Sequence, residues 1–229
     1  MRCCAVADPT VIAIDGPAAS GKSSTAAAVA RELGALHLDS GALYRALTVL
    51  VLEENSSAEE VVARADQRGL ELREAGGALV PFLDDKDAEP LLRTAAVNQA
   101  VSAVSAWPAV REWVTTRLRA AASGSRPVVL EGRDIGTAVF PDAAVKIFLT
   151  ATPEARARRR LLQQGLSAEP GDIAREAAVL AERDRKDSTR AVAPLKRAET
   201  AELVDSTDLD FSEAVGEIVR IVRRRLPGL

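Results

Sequence analysis

The chain has 229 residues and 24.2 kDa, enough for one compact domain with insertions. Its 47% hydrophobic and 28% charged residues lie in the globular range, which excludes disordered, collagenous and disulfide-scaffold classes. With aromatics at 3% and a net charge of −3, the chain lacks both the stacking platforms of a single-strand binder and the surplus charge of a polyanion-binding surface, so no nucleic-acid partner is expected.

In chain order, the start MRCCAVADPT has no apolar signal core, and its adjacent Cys3 and Cys4 cannot staple a fold without strain. With the single histidine, His37, they leave too few soft ligands for structural zinc. A reducing, cytoplasmic setting without a transition metal is expected. Val11 to Ile14 is a short β-branched run stopped by Asp15-Gly16-Pro17, which predicts a buried strand ending in a turn. Ser23 to Leu33 predicts a helix closed by Gly34.

Between strand and helix, Gly16-Pro17-Ala18-Ala19-Ser20-Gly21-Lys22-Ser23 fits G-x-x-x-x-G-K-[ST]. In such a loop the glycines let successive backbone N–H groups turn onto phosphate oxygens, and the lysine reaches the β and γ phosphates. Ser23 offers a hydroxyl to Mg²⁺, and the helix that follows presents its positive end to the same anion. A phosphate loop alone leaves kinase, GTPase, motor ATPase and binding module open. No N-K-x-D or T-K-x-D segment follows late in the chain to read a guanine.

Ser40 to Glu53 carries a second helical pattern. Residues 53–90 hold 11 Asp or Glu against 4 Lys or Arg; there Leu70 to Arg73, a Gly76-Gly77 turn and Ala78 to Leu83 predict a small acidic hairpin. Asn98, Ser102 and Ser105 share one helical face opposite Val97, Val101 and Val104, a polar stripe that could face a ligand or water. The longest uncharged run, Thr94 to Val110, is broken by polar residues and Pro108, so no membrane partner is expected. Pro127 to Leu130 and Val145 to Leu149 are further compact strands. Strands alternating with helices predict an α/β fold with a parallel sheet. The Val128-Val129-Leu130-Glu131 strand runs into Gly132-Arg133-Asp134, an acid and an arginine together, which suits a second phosphate-bearing substrate. Thr152 and Pro153 predict a helix start, after which Arg156, Arg158, Arg159 and Arg160 follow. Residues 156–190 hold 9 basic against 6 acidic residues.

Taken together, the blocks IDGPAASGKSS (14 to 24), LDSGALYR (38 to 45), WPAVRE (107 to 112), EGRDIGTAVFPDA (131 to 143), VKIFLTA (145 to 151) and RDRKDSTRAVAPL (183 to 195) resemble, in order and spacing, the bacterial cytidylate kinases. The resemblance covers nearly the whole chain. It implies a phosphate-loop kinase core over about 10–62 and 125–229, a monophosphate-binding insert over about 63–115 and a mobile lid over about 156–190. The implied activity is ATP-dependent phosphorylation of CMP and dCMP with Mg²⁺ as cofactor. The alternatives are another small acceptor such as AMP, UMP or shikimate, or a phosphate-loop NTPase or binding module with no acceptor. The chemistry agrees, because a monophosphate acceptor is already anionic and needs no general base.

The resemblance implies an ATP-binding set of Gly16, Pro17, Ala18, Ala19, Ser20, Gly21, Lys22, Ser23 and Ser24, with Lys22, Arg133 and Arg190 catalytic. Ser40, Arg45, Arg133 and Arg190 are implied around the substrate phosphate, where guanidinium forks bind oxygens in pairs. Ser102, Arg111 and Asp134 are implied at the base, the last two as a donor and acceptor matching cytosine N3 and N4. Arg183 and Asp187 fall to the ribose. Tyr44 could pack or line the site, and the lid arginine stays open among Arg156, Arg158, Arg159 and Arg160. Where the family has L-N-G-x-D, this chain has Leu83-Asp84-Asp85-Lys86-Asp87, and Pro81 interrupts the preceding strand, so an irregular hairpin is expected. A monomer is expected.

Overall fold

The computed structural model describes residues 10–229, so Cys3 and Cys4 lie outside the described residues. The strands are β1 (Val11–Asp15), β2 (Leu36–Asp39), β3 (Glu71–Ala75), β4 (Ala78–Leu83), β5 (Lys86–Asp87), β6 (Val128–Gly132), β7 (Val145–Thr150) and β8 (Glu202–Asp205). The helices are α1 (Lys22–Glu32), α2 (Ser40–Glu54), α3 (Ala58–Gln67), α4 (Glu89–Leu92), α5 (Ala95–Val104), α6 (Pro108–Ala121), α7 (Pro153–Gln163), α8 (Pro170–Thr189) and α9 (Phe211–Arg225). One turn of π-helix spans Ile135–Val139.

The sheet runs β3-β4-β2-β6-β1-β7-β8, with β5 beside β4. β1 pairs in parallel with both β6 and β7, so every residue of VIAID is buried and the strand reads as an apolar run rather than an alternation. Its residues divide between two cores. Val11 and Ala13 pack with α2, α3, α5 and α6, while Ile12 and Ile14 pack with α1, β7 and α9. Leu43, Leu47 and Leu50 recur along α2 at helical spacing and are fully buried, each stabilising the fold by about 1.5–3 kcal/mol. Among the described residues no helix is long and apolar enough to cross a membrane.

The acidic hairpin forms as expected around Gly76 and Gly77, both at positive φ. Its expected irregularity does not occur. Pairing with β3 continues without a break, and Pro81 sits opposite Leu72. The Pro81 carbonyl points away from β3 and accepts from Ala88 N at 3.0 Å. An N–H on the same residue would point the same way, so the missing donor costs the β3 ladder nothing. Asp84 and Asp85 make a second two-residue turn into β5, again with positive φ at both positions.

Candidate active site

The parallel strands end at one cavity of about 480 Å³. β1 delivers the Gly16 to Ser23 loop, β2 delivers Asp39 and Ser40, and β6 delivers Glu131 to Asp134. The loop requires its glycine: a Cβ on Gly16 would stand 2.0 Å from the Leu149 carbonyl oxygen. Gly21, at φ 85°, caps α1 without a side-chain partner, so the first amides of the helix stay available to an anion. Lys22 is buried and donates to the Pro17 carbonyl at 2.6 Å and to Ser20 Oγ at 3.3 Å. Burial, reinforced by Arg133, lowers its ammonium to about 7, while Glu131, Asp15 and Asp39 pull the other way. Ser23 and Ser24 are exposed, and both line the cavity.

Asp15, which sequence reading missed, ties the loop to the opposite wall. Its carboxylate accepts from Ile135 N at 2.8 Å and Gly136 N at 2.7 Å, fixing the backbone just after Arg133 and Asp134. Burial raises this carboxyl to about 6 against the two amide hydrogen bonds.

On the far side, Asp39 caps α2 by accepting from Gly41 N at 2.8 Å, and Ser40 Oγ donates to the Glu131 carbonyl at 2.7 Å. Arg45 donates to Asn98 Oδ1 at 2.7 Å and to the Leu92 carbonyl at 3.2 Å. Asn98, Ser102 and Ser105 all line the cavity, so the polar stripe of α5 faces it rather than open water. Tyr44 is buried, lines the cavity, and lies 5.5 Å from the Arg111 guanidinium; its hydroxyl has no partner among the described residues, and burial pushes it up to about 12.

Asp134, 4% exposed, accepts from both Arg111 and Arg190, the latter at 3.0 Å. Arg111 also donates to the Ser105 carbonyl at 3.1 Å, and Arg190 Nε to the Ala193 carbonyl at 2.6 Å. Arg133 pairs with Asp187 at 3.0 Å. Arg183 lines the cavity with a buried Nε that has no partner among the described residues. Burial and the neighbouring Arg133 lower its guanidinium to about 10, with Arg45 and Arg160 adding to the effect. Four cations share a region whose few acids do not neutralise them all, which suits a polyanionic ligand.

The four arginines of α7 separate by direction. Arg158 is exposed, Arg159 binds Ser206, and Arg156 is buried against the Ala18 and Ala151 carbonyls and Asp184. Arg160 lines the cavity, paired with Glu176 at 2.9 Å. Among the described residues no three His, Cys, Asp or Glu side chains cluster as a metal centre. Ser23, Asp39 and Glu131 do line the cavity together. One Glu131 carboxylate oxygen is buried without a hydrogen bond, 3.4 Å from His37 Nε2, and Asp39 is raised to about 6 by burial and by facing Glu131. Hard oxygens in this number fit Mg²⁺ held mainly through a nucleotide's phosphates rather than a resident metal.

The family model for cytidylate kinase matches residues 12–224. The chain is 45% identical over 215 residues to the cytidylate kinase of Mycobacterium leprae (strain Br4923), covering 94% of this chain and 96% of that protein. It is 43% identical over 219 residues to the cytidylate kinase of Rhodococcus opacus (strain B4), covering 94% and 95%. Among solved structures, an uncharacterized protein from Eubacterium ventriosum ATCC 27560 aligns with a TM-score of 0.50 at 11% identity, over 93% of this chain and 97% of that one, a likeness of fold.

Proposed function

The chain belongs to the cytidylate kinase family, and from that premise we propose that it transfers the γ-phosphoryl group of ATP to CMP and dCMP and that the cavity walls divide the two substrates between them. The observation that carries the acceptor reading is the buried Asp134 carboxylate, shared by Arg111 and Arg190 in the same cavity as the phosphate loop. A fixed carboxylate beside a fixed guanidinium accepts from cytosine N4–H₂ and donates to its ring acceptors, whereas uracil would set O4 against a negative oxygen. Ser102 joins this base-reading pair from the cavity-facing stripe of α5.

The donor phosphates bind Gly16 to Ser24 and Lys22. Ser40, Arg45 and Arg133 hold the acceptor phosphate, with Arg190 linking it to the base-reading carboxylate. Arg183 and Asp187 take the ribose. Of the α7 arginines, Arg160 is assigned to the transferring group, because it is the one that lines the cavity. The acceptor oxygen is already anionic, so these residues act by alignment and charge neutralisation, and none needs to remove a proton. Ser23, with Asp39 and Glu131, would hold Mg²⁺, which supplies charge neutralisation on the nucleotide phosphates.

Asp134→Ala tests the reading. It should cost CMP about 2–4 kcal/mol in kcat/KM, the scale of a buried hydrogen bond to a charged group, and UMP much less. Equal losses for the two acceptors would mean that Asp134 positions backbone or phosphate and does not read the base.

A further inference from the structure

Both backbone polar groups of Ala18, in the phosphate loop, are held from the lid side. Ala18 N–H donates to Asp184 Oδ1 at 2.8 Å, and the Ala18 carbonyl accepts from Arg156 Nη1 at 2.9 Å. Arg156 closes the triangle, donating to Asp184 Oδ2 at 2.5 Å and, through Nε, to the Ala151 carbonyl at 3.1 Å. A separate apolar cluster lies at the same place: Ala18, Ala157 and Leu180 are buried together, with Ala19, Ile173 and Ala177 packed against them. Loop, α7 and α8 therefore meet in a charged clasp seated on a small dry contact.

Asp184 stands next to Arg183 and one turn before Asp187, both of which line the cavity, while Asp184 itself faces the donor loop. The far end of α8 has its own anchors, the Arg133–Asp187 and Arg190–Asp134 pairs. We infer that Asp184 is a positioning residue: through Ala18 and Arg156 it locks α8 to the phosphate loop, so that the acceptor-binding residues and the donor loop reach transfer geometry as one unit. The inference rests on the kinase reading of the site. Breaking the clasp should leave the acceptor held by α8's other anchors but free the donor loop to drift relative to it. Misplacement of that kind is felt in the transfer step more than in binding.

Asp184→Ala and the isosteric Asp184→Asn separate this role from a merely structural one. At saturating ATP and CMP, kcat should fall about tenfold or more in Asp184→Ala and less in Asp184→Asn, which keeps an oxygen for the Ala18 amide, while CMP affinity measured without ATP stays within about twofold. A kcat within about twofold of wild type in both variants, or a loss of CMP affinity that matches the loss of kcat, overturns the inference. If Asp184→Ala fails to fold, the same comparison is made on Asp184→Asn. Trypsin cleavage within residues 156–190 of the ligand-free protein gives an arm independent of turnover: it should quicken about fivefold or more in Asp184→Ala, and an unchanged rate overturns the clasp. A wild-type protein that phosphorylated no CMP would contradict the kinase reading instead, and the cleavage arm would still decide the role of Asp184.

Discussion

Asp15 is a carboxylate that folding makes harder to ionise, and its cost is set against two short amide hydrogen bonds. Its proton is held more tightly in the folded protein, where the group is raised to about 6 from 3.8. The stabilising contribution is therefore complete below the unfolded value and is lost as pH rises through about 6. Asp15→Asn removes that titration. The stability advantage of wild type over the variant should be larger at about pH 4.5 than at about pH 7, by about 1–2 kcal/mol, read from urea midpoints. An advantage independent of pH would mean that the buried carboxyl does not titrate in this range. The sequence could not give Asp15 or Asp184 its role, because their partners lie 120 and 166 positions away. The phosphate loop was legible because its chemistry is written in consecutive residues. Arg133 and Asp134 were legible from the strand they follow, and Arg45, Arg111, Arg183, Asp187 and Arg190 only through the resemblance; the structure brings all but Arg111 to the cavity surface and Arg111 directly behind Asp134.

At the scale of elements, the period of apolar residues made β1, α1, α2, β6, β7 and the β3–β4 hairpin readable to within a residue or two. β2 and β8 were not, since each is four residues long and offers no more than two or three apolar positions. α9 was not singled out, although Asp210 and Glu213 form a capping box ahead of Val215, Ile218, Val219 and Val222. The expectation of an irregular hairpin erred because it weighed Pro81 and the missing Asn-Gly pair without the direction of each backbone group. Asp84 and Asp85 accept positive φ at a cost that glycine would not carry. Arg68 and Arg73 hold them by ion pairs near the surface, which contribute little. Asp85→Gly should therefore raise stability by about 0.5 kcal/mol after the entropy of the added glycine, seen as a higher urea midpoint, and leave kcat unchanged. A lower midpoint would show that the Arg73–Asp85 pair outweighs the backbone strain.

At the scale of the whole molecule, one sheet end organises the chemistry. The strands β1, β2 and β6 lie side by side and in parallel, so their carboxyl ends deliver the donor loop, the start of α2 and the Arg133–Asp134 wall to a single crevice, as open parallel sheets do. β7, on the other side of β1, leads directly into α7, and α7 with α8 returns over the loop to meet it at Ala18. Transfer between two phosphates asks for this closure, because water admitted to the crevice would compete with the acceptor. The measurement that tests this account most directly is ADP release from ATP and Mg²⁺ with CMP, dCMP, UMP, AMP or shikimate added in turn, with the phosphorylated product identified. ADP should appear one for one with CDP or dCDP, and turnover with the other acceptors should be about tenfold lower or less. ADP release at the same rate with every acceptor and with none, or release that depends on an acceptor other than a cytidine monophosphate, would contradict it.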